Sequence, residues 1–202
     1  KRIRETDERA PCHDCCNISG DGCGCNFWGG CILSGVVRLN FAFYTEMQIE
    51  GYGGNSRKMI QLVRPTEAMK EQAIEFRQEF FEHGEFVING SELFDKTDDY
   101  TEWCRTIDAN TKEETVNPNW VITDTFFAVD DDRIVGIIDF RHTLNDFLKD
   151  LGHCGYSVRP SERRKGFATE MLRQLLEVTQ KTGMNELYLS VERKNEPSVK
   201  TI

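Results

Sequence analysis

The apolar positions after residue 59 recur with the periods expected of alternating strands and helices. The run Met59-Ile60-Gln61-Leu62-Val63 predicts a first strand. Thr66 is a suitable N-cap for a helix whose apolar residues recur at helical spacing until His83-Gly84 ends it. A second helix is predicted from Tyr100 to Ile107, after an Asp-rich entry at residues 95–99. This part of the chain therefore predicts one strand followed by two helices.

The next segment is rich in β-branched and aromatic residues, which favour strands. Residues 126–129 and 134–138 flank the turn Asp130-Asp131-Asp132 and predict a hairpin in the centre of a sheet. Residues 155–158 predict a fourth strand. Arg159-Pro160 ends this strand, because proline cannot donate a backbone hydrogen bond to a neighbouring strand.

The clearest helical pattern in the chain runs from Ala168 to Gly183, with one apolar and one polar face. Residues 187–192 predict a fifth strand, and Pro197 begins a last helix. The predicted order after residue 59 is β-α-α-β-β-β-α-β-α, which is typical of an α/β or α+β domain.

Composition changes sharply near Met59. Residues 1–58 contain six of the eight cysteines and nine of the sixteen glycines, and they carry seven basic and seven acidic groups. Residues 59–202 carry 18 basic and 27 acidic groups, so the net charge of −9 lies entirely in this part. We therefore expect the functional domain at residues 59–202, and we expect residues 1–58 to be an extension outside it.

The extension holds a dense cysteine cluster with His13 beside it. The cysteines are Cys12, Cys15, Cys16, Cys23, Cys25 and Cys31. Thiolates at this density suit zinc or an iron–sulfur cluster, but a structural zinc site usually has two separated Cys-x2–4-Cys pairs. A disulfide framework would leave Cys104 and Cys154 unexplained. Both readings of the extension stay open, and we expect no metal site in the functional domain.

The acidic balance excludes some classes of partner. With a pI near 5.0, the chain is unsuited to binding nucleic-acid phosphates by overall charge. Its longest uncharged stretch, Gly22–Val37, is short and glycine-rich, so we expect no membrane-spanning helix. The first ten residues are too charged for a secretory signal. We expect a cytoplasmic protein without nucleic-acid or membrane partners, and a homodimer is left open.

A strand end, a loop and a helix start follow one another between Val158 and Thr169. Gly166 and Ala168 let the backbone turn tightly, and amides at a helix N-terminus point toward an anion. Arg163-Arg164-Lys165 adds positive charge on the same loop, and such groups bind phosphate oxygens. The segment favours a pyrophosphate-binding loop, while a solvated basic run would have the same composition.

These residues resemble the signature of a known family. Arg163-x-x-Gly166-x-Ala168, after a strand that ends Val158-Arg159-Pro160, is similar to the motif Gln/Arg-x-x-Gly-x-Gly/Ala of the GNAT superfamily of N-acetyltransferases. Residues 134–144 and 152–166 resemble a bacterial branch of predicted acetyltransferases in that superfamily. The resemblance covers residues 59–202. It implies the GNAT acyl-CoA N-acyltransferase fold, with a mixed central sheet, helices on both faces and the last strands missing.

The resemblance also implies a binding site for acetyl-CoA as co-substrate. In the family, acyl-CoA lies in a V-shaped split between the fourth and fifth strands, with pantetheine paired to the free strand edge. Pyrophosphate would meet the amides of residues 164–169, Arg163 is the first signature residue, and Asn195-x-x-Ser198 keeps a spacing common in this branch. The residues expected to bind the cofactor are Tyr156, Ser157, Val158, Arg163, Arg164, Lys165, Gly166, Phe167, Ala168, Thr169 and Asn195.

Acetyl transfer to an amine needs a base, because an amine of pKa ~10 is mostly protonated at neutral pH. Glu192 and His153 are the selected catalytic candidates, His142 and Asp139 are further ones, and each also has an ordinary structural explanation. A backbone N–H in residues 156–158 is suited to stabilising the oxyanion. In many relatives a tyrosine on the final helix protonates the thiolate. That segment would follow residue 202, so we expect weak turnover and an unpaired apolar strand edge at residues 187–191.

The sequence thus predicts an N-acetyltransferase that moves an acetyl group from acetyl-CoA to an amine of a small molecule or peptide by direct attack. The first alternative is a non-catalytic acyl-CoA-binding GNAT module. The second is a Cys-rich metal-binding regulator fused to that fold. Turnover separates the enzyme from the binding module, and metal analysis identifies the regulator.

Overall fold

The computed structural model describes residues 60–192 and 194–202, together with the backbone of residues 36–40. The strands are β1 (Val36–Asn40), β2 (Gln61–Val63), β3 (Thr123–Asp130), β4 (Arg133–Arg141), β5 (Tyr156–Val158) and β6 (Glu186–Ser190). The α-helices are α1 (Lys70–Glu82), α2 (Tyr100–Ala109), α3 (Phe167–Lys181) and α4 (Glu196–Thr201). The cysteine cluster, His13 and Met59 lie outside the described residues. No helix in the described part of the chain is long and apolar enough to cross a membrane.

From β2 onward, strands and α-helices follow one another in the predicted order. The expected side-chain cap at Thr66 is absent, because a short 3-10 turn at Glu67–Met69 precedes α1 and the Thr66 carbonyl instead accepts a hydrogen bond from the Tyr100 hydroxyl at 2.8 Å. Helix α2 is capped by Asp99, whose carboxylate accepts from two backbone amides of the first turn at 2.9 and 3.2 Å. Local sequence therefore places the helices well, and tertiary contacts adjust how they begin.

Four strands form the central sheet in the order β2-β3-β4-β5, and each neighbouring pair is antiparallel. The predicted hairpin is its centre, and it turns at Asp131 and Asp132, which both have positive φ (43° and 65°). Two consecutive left-handed residues match the right-handed twist of the flanking strands. Because this hairpin has apolar side chains on both faces, other elements must pack against each face of the sheet and cover it.

Helices supply that cover on both faces of the sheet. One core cluster packs α3 against the sheet through residues such as Met171 and Leu175, and it includes the buried Leu187 of β6. The other packs α1 and α2 against the opposite face, where Phe76 and Trp103 surround Phe127. The predicted α/β architecture with helices on both faces is confirmed.

Strand β6 has a partner that the sequence does not predict. The backbone of β1 pairs antiparallel with it, from Val36 opposite Ser190 to Asn40 opposite Glu186. The expectation of an unpaired edge at residues 187–191 is therefore wrong, because a segment about 150 residues earlier in the sequence covers the edge of Glu186–Ser190. The domain boundary at Met59 stays a prediction.

Candidate active site

Strands β5 and β6 approach each other at one end and then separate. Gly152 bridges Leu189, and the His153 amide donates to the Tyr188 carbonyl at 2.7 Å. Further along, β5 pairs with residues 136–138 of β4, and no pairing to β6 is present among the described strands. The two strands thus bound a cleft, in agreement with the expected split between the fourth and fifth predicted strands.

A cavity of about 500 Å³ is bounded by β5, the loop before α3 and α4. Of the residues expected to bind the cofactor, those lining it are Tyr156, Ser157, Val158, Arg163, Arg164, Gly166, Phe167, Ala168, Thr169 and Asn195. Lys165 does not line it. Glu85, Val87 and Asn89 from the segment after α1, and Ser198 from α4, complete much of the wall. One cavity therefore unites residues of β5 and the loop before α3 with residues that follow β6.

The loop before α3 is shaped by left-handed backbone. Arg164 has φ 65° and Gly166, the N-cap of α3, has φ 86°. The Glu170 amide makes the first helical hydrogen bond, to the Gly166 carbonyl at 3.1 Å. Amides of a first helical turn lack acceptors within the helix, and glycine has no side chain to cap them. The cavity is therefore bordered by the kind of helix start that binds anions.

Arg163 forms a two-point ion pair across the loop. Its guanidinium donates to both carboxylate oxygens of Glu85 at 2.6 and 2.7 Å and lies 5.6 Å from the centre of the Phe80 ring. These hydrogen bonds lower the pKa of Glu85. Lys165 is also paired, with Glu162 at 2.7 Å. Arg163 and Lys165 are thus bound to acidic residues, whereas Arg164 and the backbone amides border the cavity as contacts for phosphate.

Arg159 anchors the start of the same loop, whereas the sequence pattern predicts it only as the end of a strand. Its buried side chain donates to the Ile134 carbonyl at 2.7 Å and to Glu75 and Glu79 at 2.8 and 3.1 Å. Glu79 also accepts from the Ser161 amide at 2.7 Å. Desolvation acts to raise the pKa of Glu79, but the Ser161 amide and Arg159 outweigh it, so this pKa is lowered. The network fixes the loop to α1.

A family model described as an acetyltransferase (GNAT) domain matches residues 62–202, more than half of the chain. The chain belongs to the GNAT acetyltransferase family. No curated protein and no solved structure matches it. The matched region contains every residue of the cleft described above.

A second cavity of the GNAT domain, about 300 Å³, lies where β5 and β6 separate. Glu192, one of the two selected catalytic candidates, is exposed and lines it with Tyr156 and Asn195. The Asn195 side chain caps α4 by accepting from the Ser198 amide at 3.2 Å. Burial raises the pKa of Tyr156 to about 12, so its hydroxyl stays protonated at neutral pH. We call this space the junction cavity.

The two histidine candidates lie elsewhere. His153 is buried, and its Nδ1 accepts the Tyr188 amide at 3.1 Å, which places the ring proton on Nε2. Desolvation lowers the pKa of His153. His142 lies 2.8 Å from Asp124, which also binds Arg64. Neither histidine lines any of the three cavities described for this GNAT domain. The catalytic role of His153 stays a prediction, and its surroundings favour a structural role.

Glu92 is a candidate that the sequence analysis missed. It lies in a left-handed turn (φ 47°) and lines a third cavity, of about 320 Å³, together with Asp139. Desolvation, with a further contribution from Asp139, raises the pKa of Glu92 to about 7. Burial raises the pKa of Asp139 as well, opposed by Arg141 and the Gly155 amide. The only sequence signal nearby is the turn-forming pair Asn89-Gly90.

Proposed function

We propose that this GNAT domain is an N-acetyltransferase that binds acetyl-CoA and transfers its acetyl group directly to an amine of a small molecule or peptide. One observation carries the proposal. Apart from Lys165, the cofactor residues expected from the sequence line a single cavity that is bounded by β5, the loop before α3 and α4. Such a cavity combines a helix N-terminus for phosphates with a strand edge for an extended amide chain.

The cofactor would bind in two parts. The pyrophosphate would accept hydrogen bonds from the backbone at residues 164–169, where the loop turns into α3. The pantetheine would run along β5, which is paired to β4 on its other side. This course directs the thioester toward the junction cavity, since Tyr156 and Asn195 line both spaces.

The groups for the transfer step surround the junction cavity. A backbone N–H of residues 156–158 would stabilise the oxyanion that forms on the thioester. Of the two catalytic candidates selected from the sequence, Glu192 lines the junction cavity and His153 does not. We also propose a cytoplasmic location, as expected from the sequence.

The proposal is tested by calorimetry with acetyl-CoA and by release of free CoA thiol with a panel of amines. Gly166→Val should weaken acetyl-CoA binding by about tenfold or more, because its side chain would lie where the phosphates approach the backbone. Gly183→Val is the matched control, since both glycines have positive φ (86° and 81°) and open space at the Cβ position.

Equal affinity of both variants and the unaltered protein would overturn the cofactor site. Binding without thiol release for any amine would favour the non-catalytic module over the enzyme. Stoichiometric zinc or iron in the full chain would point to the metal-binding regulator.

A further inference from the structure

The third cavity, which we call the acidic cavity, combines a charged floor with an apolar rim. Glu92 and Asp139 are in its floor. Seven large apolar residues are exposed in the described part of the chain, and five of them surround this one space: Val87, Leu93, Trp120, Phe147 and Leu151. The Phe147 side chain is 77% exposed. Such a concentration around a concave site is typical of a ligand contact surface.

The acidic cavity adjoins the proposed cofactor site. Asn89 lines the acidic cavity, the junction cavity and the cavity of about 500 Å³ assigned to the cofactor. Gly90, Arg141 and Leu151 line both the acidic and junction cavities. A molecule in the acidic cavity would therefore lie next to the junction cavity.

The charges in the floor are not equally neutralised. Arg141 donates to Asp139 at 2.6 Å and to the Gly152 carbonyl at 3.0 Å, so its guanidinium is committed to those groups. Glu92 instead accepts from the neutral Asn110 amide at 3.3 Å and is repelled by Asp139. Desolvation and the Asp139 carboxylate raise the pKa of Glu92 to about 7, and the charge of Arg141 offsets this only in part. An entering ammonium group would add the positive charge that this pair of carboxyl groups lacks.

We propose that the acidic cavity binds the acetyl acceptor as a small primary amine with an apolar body, and that Glu92 holds the ammonium group and accepts its proton. The inference rests on the proposed acetyl transfer. The apolar body packs against the rim at Trp120 and Phe147, and the amine points inward. The volume of about 320 Å³ suits a small molecule.

The proton and bond changes balance without a further reactant. The Glu92 carboxylate takes one proton from the ammonium, which frees the nitrogen lone pair to attack the thioester carbon. The C–S bond of the tetrahedral intermediate then breaks, and the sulfur leaves as thiolate. One of the two protons on the positively charged amide nitrogen then passes to that thiolate, which leaves a neutral amide with one N–H, and Glu92 releases its proton to solvent. A base whose pKa lies near neutral is suited to this exchange.

The test measures binding of 2-phenylethylamine and phenylalanine by calorimetry on the full chain saturated with CoA. The two ligands share an apolar body, but phenylalanine adds a carboxylate beside the amine. We expect phenylalanine to bind about tenfold more weakly or worse, because its carboxylate would lie near Glu92 and Asp139. Similar binding of both ligands would overturn the charge-based assignment.

Variants assign the effect to residues. Glu92→Gln should weaken 2-phenylethylamine binding about tenfold, and Glu71→Gln, the same change on the exposed face of α1, should leave it unchanged. Trp120→Ala, which shortens a side chain of the apolar rim, should also weaken 2-phenylethylamine binding, whether or not Glu92 is replaced. Equal affinity in Glu92→Gln and the unaltered protein would overturn the role of Glu92.

The pH dependence gives a second readout. Other charged groups that line the acidic cavity are Asp95, Lys96, Asp139 and Arg141. In the unaltered protein the affinity for the ammonium form should fall as the pH drops below 7, because Glu92 becomes protonated, and this fall should be absent in Glu92→Gln. The same fall in both proteins would contradict the proposal. The affinity for acetyl-CoA is measured on the same samples. If the unaltered protein does not bind acetyl-CoA, the proposed function is contradicted. If it binds acetyl-CoA but shows none of the expected differences in amine binding, only this inference is contradicted.

Discussion

Gly90 and Gly155 pack backbone to backbone. A Cβ atom on Gly155 would lie 2.8 Å from the Gly90 nitrogen, and one on Gly90 would overlap the Gly155 carbonyl oxygen. The contact places the segment after α1 directly against the start of β5, and the Ser157 hydroxyl extends it by donating to the Asn89 carbonyl at 3.0 Å. Asn89 borders all three cavities. This glycine pair therefore holds in place the segment that the three cavities share.

Gly90→Ala should therefore destabilise the domain by more than a left-handed backbone alone explains. Gly84→Ala is the matched control, because Gly84 has a similar φ (74° against 76°) but open space at the Cβ position. We expect about 1 kcal/mol for Gly84→Ala from the backbone strain, and at least about 2 kcal/mol more for Gly90→Ala from the overlap. Urea unfolding measures both, and equal losses would show that the close approach is relaxed at little cost.

Removal of Arg159 should strongly destabilise the loop before α3. Arg159→Met leaves Glu79 without its buried cationic partner, so we expect a loss on the order of 3 kcal/mol in the free energy of unfolding. Arg133 also pairs with Glu79, at 3.6 Å, but its side chain is 49% exposed. Arg133→Met should therefore cost less than about 1 kcal/mol. Similar losses in the two variants would contradict the anchoring role of Arg159.

Glu92→Gln should stabilise the protein at pH 8 and have little effect near pH 4. The folded-state pKa of Glu92, about 7, lies above the ordinary glutamate value of 4.5, so folding favours the protonated form. The contribution of protonated Glu92 to the free energy of unfolding is complete below pH 4.5 and is lost as the pH rises through 7. The neutral amide avoids that loss, for a gain on the order of 2 kcal/mol at pH 8. Unfolding at both pH values tests the sign, and a variant less stable at pH 8 would contradict it.

Strand β1 should contribute to the integrity of the domain. In an antiparallel pair only every second residue donates its backbone N–H to the partner strand. Replacing the two neighbours Val37 and Arg38 together by proline therefore removes at least one N–H that bonds to β6. We expect faster amide hydrogen exchange in residues 186–190, a lower midpoint of unfolding and more self-association through the exposed edge. Gly20→Pro, outside the strand, is the control. Unchanged exchange at β6 would instead support the boundary at Met59.

Residues close together in the chain predict the elements from β2 to α4 and most of the loop before α3. These features depend on neighbours in the chain: the periodic apolar face of α3, the β-branched hairpin, and the Arg163-x-x-Gly166-x-Ala168 turn are each contained within a few consecutive turns or strands. The family resemblance used the same contiguous residues, so it pointed to the same loop.

Residues that are distant in the chain come into contact only when the separate elements pack together. Arg159 reaches Glu79 across 80 positions of the chain, β1 joins β6, and Glu92 is brought beside Asp139 by packing of the segment after α1 against the sheet. Such contacts leave no periodic or spacing signal, because they depend on how separate elements pack around the two cores. The shift in the pKa of Glu92 arises in the same way, since burial and a neighbouring carboxylate exist only once the sheet and its covering segments have assembled.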